Sequence, residues 1–128
     1  MAKTPSELLK KKIIQYKKEC QNILQLSNSI RYVGVINAYG KTLSGIVRED
    51  TKPLLKSEEA KNEFFIISTL MTLRKNMTNS MGNLDYILLQ HQKVCLLIFQ
   101  KQMVTYYISI DRAEKNIDKI IKFVQKAI

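Results

Sequence analysis

Apolar and polar positions repeat along this chain with two different periods, and each change of period marks an element. From Pro5 onward, Leu9, Ile13, Tyr16, Cys20, Ile23 and Leu24 fall three or four residues apart, the spacing of an amphipathic helix. Thr4 can cap that helix, Pro5 suits its first position and Glu7 can bond back to the cap. The pattern predicts a helix over 4–26, ended by Ser27-Asn28-Ser29. Two short apolar runs follow, Tyr32–Ile36 and Thr42–Val47, around Asn37-Ala38-Tyr39-Gly40-Lys41. Gly40 tolerates the positive φ of a tight reversal and Asn37 can bond its own backbone, so 30–47 reads as a β-hairpin. Gly34 and Gly45 lie inside its strands, where glycine marks a bulge or a close approach. We expect a helix packed above them.

The stretch 48–56 is polar except for Pro53-Leu54-Leu55 and reads as a connection that dips its two leucines into the core. Ser57 is read as a helix cap, with Glu58 and Glu59 favourable in the first turn. The helix predicted over 58–77 carries Ala60, Phe64, Ile67, Leu70, Met71 and Met77 on one side, widened by Phe65, Ile66 and Leu73. A helix apolar over so much of its circumference is buried on two sides. Either one side meets the sheet and the other a second copy of the chain, or the helix is set deep inside a monomer. Residues 79–83 read as a turn. Leu84–Gln90, Val94–Gln100 and Met103–Ile110 are rich in β-branched and aromatic residues, and their short polar separators make them antiparallel neighbours. Continuous apolarity from Val94 to Phe99 implies a central strand covered on both faces, whereas the strand holding Asp85 looks like an edge. Asp111 and Glu114 read as a capping box for a last helix, with Ile117, Ile120, Ile121, Val124 and Ile128 as its stripe. The expected fold class is α/β: a three-layer α/β/α sandwich around a five-stranded antiparallel sheet, in the order α-β-β-α-β-β-β-α.

Length and charge sharpen this picture. A chain of 128 residues suits a single domain, 1–128, with one core. No apolar run approaches the roughly 20 residues of a membrane span, and MAKTPSELLKKK has no apolar core with a small-residue cleavage site, so a cytoplasmic protein is expected. The net charge of +10 favours encounters with polyanions: nucleic acid, an anionic membrane surface or an acidic protein. Lys10, Lys11, Lys17 and Lys18 line one side of the first helix, and Lys115, Lys119, Lys122 and Lys126 the outer side of the last. Each row is a solvated face or a surface for phosphates and headgroups. Few aromatics interleave with the lysines, which argues against a stacking platform for single strands.

Candidate chemistry adds little. The glycines are too scattered for a phosphate-binding loop. Cys20 and Cys95 lack zinc spacing and read as small apolar core residues. His91 sits in a turn with no neighbouring nucleophile, and nothing nominates a carboxylate partner for Asp85, which reads as an edge-strand charge that deters unwanted pairing. Hence no catalytic residue, cofactor or metal is expected. Arg48 and Arg74 are the charges of most interest: they bind an anion or a partner, or pair with Glu49, Asp50 or Glu63.

The hairpin pattern GV-x-N-x-x-G, at Gly34-Val35, Asn37 and Gly40, within the element order above, resembles the roadblock/LC7 family and its profilin-like relatives, and within that pattern a group of small uncharacterised archaeal proteins. Arg48, Pro53-Leu54-Leu55, Leu73-Arg74-Lys75, Gly82 and Tyr86 also match. The resemblance covers about residues 20–128 and leaves the basic helix before residue 20 outside. It implies a homodimer in which the strand after the central helix pairs across a two-fold axis and the central helices pack together. Phe64, Phe65, Ile67, Leu70, Met71, Asp85, Tyr86 and Ile87 are the corresponding interface candidates. It also implies a non-catalytic regulator or scaffold, often for small GTPases, with the first and last helices on one face of the sheet. Three readings follow: a dimeric interaction module, a nucleic-acid-associated protein using Lys10, Lys11, Lys17, Lys18, Lys115, Lys119 and Lys122, and a small-ligand sensor, which requires a pocket.

Overall fold

The computed structural model describes residues 3–127; Ile128, expected in the last apolar stripe, lies outside them. Helix α1 (Pro5–Leu24) starts as its local sequence dictates: the Glu7 amide donates to Thr4 Oγ1 at 3.2 Å, and the Glu7 carboxylate accepts from the Thr4 amide at 3.4 Å. Strands β1 (Ile30–Ile36) and β2 (Thr42–Val47) form the hairpin. Asn37 Oδ1 accepts from the amides of Tyr39 and Lys41 at 2.9 and 3.0 Å, and Gly40 takes φ 83°. A Cβ at Gly40 would lie 2.8 Å from the Phe65 amide nitrogen, so this turn also abuts the second helix. Gly34 and Gly45 pair across the hairpin, and what lies over both is the Tyr32 ring, not a helix backbone. Tyr32 in turn stacks on Phe64, with ring centres 6.1 Å apart.

Helix α2 (Ser57–Arg74) begins one residue early. Its cap is Lys56, whose amide donates to Glu59 Oε1 at 3.0 Å, so Ser57 is the first helical residue rather than the cap. The helix tightens to a 3₁₀ turn at Lys75–Met77 and continues as a short helix α3 (Thr78–Met81) where a turn was expected. Gly82, at φ 83°, stops it. Strands β3 (Ile87–Gln90), β4 (Val94–Lys101) and β5 (Val104–Asp111) form the meander. β3 is three residues shorter at its start than predicted, because Leu84, Asp85 and Tyr86 do not pair. The final helix α4 (Ile117–Ala127) also starts later. Asp111 closes a turn instead, its Oδ1 accepting from the Ala113 amide at 2.8 Å, while Glu114 accepts from the Ser27 hydroxyl and, at 3.2 Å, from the Asn116 amide. The expected capping box is therefore absent; the Ser27 bond holds the Glu114 carboxyl below the usual carboxylate range.

All five strands are antiparallel, in the spatial order β2-β1-β5-β4-β3. One face carries α1 and α4: Tyr16, Cys20 and Ile23 from the first and Ile120, Ile121 and Val124 from the second close over Val33, Leu97 and Ile108. The other face carries α2, with Ile67 and Met71 over Ile36, Leu96, Ile98 and Tyr107. The structure is thus the three-layer α/β/α sandwich, with the first and last helices in one layer. β4 is covered on both faces as its apolarity predicts, but the middle strand is β5. Its adjacent tyrosines point to opposite faces. Tyr106 donates to Glu19 of α1 and Tyr107 to Glu63 of α2, each at 2.8 Å. Burial, then the carboxylate each faces, pushes both phenols well above the ordinary tyrosine range.

Candidate functional site

The outer side of α2 is apolar and open to solvent. Phe65, Ile66 and Leu73 are 61%, 58% and 58% exposed, and Met77 and Met81 continue the patch past the end of the helix. Large apolar side chains grouped on an open surface mark a site of contact. β3 lies beside this layer at one sheet margin and pairs only with β4, so its other edge presents unpaired backbone groups, a template for a further strand.

Among the interface candidates, only part of the set shares this surface. Phe65 is exposed and Leu70 half-buried on α2. Ile67 and Met71 face inward and are spent on the chain's own sheet, and Phe64 packs between Tyr32 and Tyr107. Ile87 opens β3 with its side chain against that same inner cluster. Asp85 and Tyr86 are exposed before the strand, where they border a hollow of about 290 Å³ next to Phe99 of β4 and Ile121 and Val124 of α4. Ile66 and Leu73 complete the patch; the breadth of the predicted stripe signalled both.

The lysine candidates divide by layer. Lys10, Lys11, Lys17 and Lys18 on α1, Lys119 and Lys122 on α4, and Lys115 just before α4 are all exposed. Both helices cover the same face of the sheet, so the two rows belong to one layer. Ile14, 70% exposed, stands on α1 among its lysines.

The two arginines behave differently from each other. Arg48 donates from Nε to the Ile30 carbonyl at 2.6 Å, and from one terminal nitrogen to the carbonyls of Leu24 and Ser27 at 2.5 and 2.7 Å. It does not face an anion or any of the carboxylates considered for it. α1 has no basic residue in its own last turn, and Arg48 supplies the positive charge that its terminal carbonyls attract. Arg74 is exposed and donates to the Met81 thioether at 4.0 Å. His91 is exposed in the β3–β4 turn, and its carbonyl accepts from Arg112. Among the described residues no group of His, Cys, Asp or Glu has the arrangement of a metal site, and no helix is long and apolar enough to cross a membrane. Cys20 and Cys95 are free and fully buried in the α1/α4 core; burial pushes the Cys20 thiol up to about 11.

A five-stranded antiparallel sheet in the order β2-β1-β5-β4-β3, with the terminal helices on one face and the central helix on the other, is the roadblock/LC7 fold. The chain is similar in structure to the Roadblock/LC7 domain from Streptomyces avermitilis, at 11% identity and TM-score 0.59 over 87% of this chain and 95% of that one. It is similar to the gliding protein MglB from Thermus thermophilus, at 11% identity and TM-score 0.67 over 99% and 90%. Myxococcus xanthus MglB matches at 11% identity and TM-score 0.62 over 88% and 94%. No protein-family model matches the sequence, and no curated protein matches it.

Proposed function

We propose that this chain, folded as one domain, is a non-catalytic, cytoplasmic regulatory or scaffold protein of the roadblock type. It acts as a homodimer that binds a protein partner. The observation that carries this reading is the exposed apolar face of α2, which covers the face of the sheet to which β3, the strand with the open edge, contributes Ile87 and Leu89. Pairing β3 across a two-fold axis extends the sheet and brings the outer faces of two α2 helices together, so one symmetric contact covers both features. One related structure is an MglB with a tetrameric arrangement, which supports assembly as a property of proteins of this shape. The sequence resemblance adds the class of partner, a small GTPase.

Light scattering tests the dimer: the expected mass is about twice the 14.9 kDa monomer, and Phe65→Glu with Ile66→Glu halves it while the circular dichroism spectrum stays unchanged. A monomeric wild type at micromolar concentration overturns the reading. Capture from native cytosol tests the partner, which should survive nuclease and high salt.

The placement of both lysine rows in the α1/α4 layer favours a second reading, contact with nucleic acid through that layer. It requires affinity that falls steeply with salt as bound phosphates release counterions, and loss of binding when Lys10, Lys11, Lys17 and Lys18 become Gln.

A further inference from the structure

α2 leaves part of its face of the sheet uncovered. Beside its first half lies a groove of about 690 Å³, floored by Tyr32, Phe64, Leu96 and Tyr107. Its walls are two connections: the stretch 51–55 between β2 and α2, and the turn 91–93 between β3 and β4. Leu54 and Leu55, expected in the core, line this groove and remain 47% and 39% exposed. Pro53 and Val94 add to the apolar wall. The size falls within the roughly 300–1,000 Å³ of small-molecule sites, which are likewise apolar with a few placed polar groups.

Both walls are held from below. Arg31 donates to the Lys52 carbonyl at 2.7 Å and lies 3.7 Å from the Asp111 carboxylate. Arg112 donates to the His91 carbonyl on the other side. A guanidinium tied to a backbone carbonyl on each wall fixes the width of the groove before anything enters it, and a preformed site loses less entropy on binding. Charge then selects the occupant. The one carboxylate in the lining, Glu63, is engaged by the Tyr107 hydroxyl. Lys52 and Lys93 line the walls, and neither takes part in an ion pair among the described residues. The groove therefore presents an apolar, aromatic floor under a basic rim.

We propose that this groove binds a small amphipathic anion, an acyl carboxylate whose chain lies on the Tyr32, Phe64, Leu96 and Tyr107 floor and whose charged end meets Lys52 and Lys93. The site is complete within one protomer, so it does not depend on the dimer and stands or falls separately from it.

The test is titration calorimetry of the full chain with dodecanoate, and with dodecyltrimethylammonium, which has the same tail and the opposite charge. Saturable binding of dodecanoate, one per chain, is expected at an affinity about fivefold above that of the cation, since two partly exposed ion pairs together contribute on the order of 1 kcal/mol. Lys52→Glu with Lys93→Glu should remove that preference while leaving the melting temperature unchanged, and Leu55→Trp should block the site. Phe65→Glu with Ile66→Glu, on the outer side of α2, should leave binding as it was. Equal affinity for the two amphiphiles overturns the proposal. So does binding lost only in the Phe65/Ile66 variant, or an acidic apolar peptide that binds at this groove when dodecanoate does not.

Discussion

Replacing Arg48 by Ala should cost this fold more than any other single surface-charge change, although Arg48 touches no ligand candidate and no acidic residue. Its guanidinium donates to three backbone carbonyls, one at the end of α1, one in the connection that follows it and one at the start of β1. A hydrogen bond to a charged group contributes about 1.5–3 kcal/mol when buried. Arg48 is only half-buried, and water can reach part of the vacated space, so the sum is discounted to about 3 kcal/mol. For a chain of this length the unfolding entropy is about 0.27 kcal/mol/K, which turns that loss into a fall of about 10 °C in Tm. Arg48→Lys should recover only about a third of it, because an ammonium on a flexible stem cannot span the three carbonyls as the planar fork does. Calorimetry and urea unfolding followed by circular dichroism measure both. The deficit should persist at about 1 M salt, which screens an exposed pair but not a partly buried contact with backbone carbonyls. Arg74→Ala is the matched control and should stay within about 0.5 kcal/mol of wild type. A Tm for Arg48→Ala within about 2 °C of wild type, or an Arg48→Lys protein indistinguishable from it, would refute this account.

Two further outcomes follow from the backbone and the buried phenols. Gln102 and Met103 turn between β4 and β5 with φ of 50° and 73°, a left-handed conformation costing about 1 kcal/mol for a side chain that glycine avoids. Met103 is 66% exposed and loses little burial, so Met103→Gly should raise Tm by about 3 °C, read by calorimetry; an unchanged or lower Tm would count against the strain. Alkali should destabilise the fold. The Cys20 thiol, ordinarily 9.0, is pushed to about 11, and the Tyr32 phenol, ordinarily 10.0, to about 12, in both cases chiefly by burial. The unfolded chain releases these protons first, so stability is full below 9 and declines as pH rises through the folded values. Urea midpoints against pH should show that decline, and Tyr32→Phe should make it shallower above 10; a flat profile to pH 11 would contradict the burial of both groups.

What the sequence disclosed was local. The Thr4–Glu7 cap, the Asn37–Gly40 turn and the both-sided burial of β4 each depend on residues a few positions apart, and each appears in the structure as its pattern implies. The breadth of the α2 stripe was legible too, and it anticipated the exposed Phe65, Ile66 and Leu73. What stayed hidden depends on distance along the chain. Arg48 reaches back 24 residues to Leu24, and Ser27 and Glu114 meet across 87. The Asp111–Glu114 spacing resembles a cap, but Glu114 has a competing partner that no local pattern reveals. Gly34 and Gly45 do mark a close approach, yet the intruder is a side chain two residues from one of them. The groove escaped notice because Leu54 and Leu55 look like any buried pair until the course of their loop is known.

The position of β5 has a consequence for how the sheet is held together. β1 bonds to β2 and β3 bonds to β4, but these hairpins share no hydrogen bond with each other; β5 joins them, and through Tyr106 and Tyr107 it reaches a helix in each outer layer. In chain order this strand follows both hairpins. Without it, β1 and β4 would each have an open edge and each helix layer would lack its tyrosine clasp, leaving two unconnected halves. The sheet is therefore continuous only through β5, the one strand that joins both halves and ties both faces together.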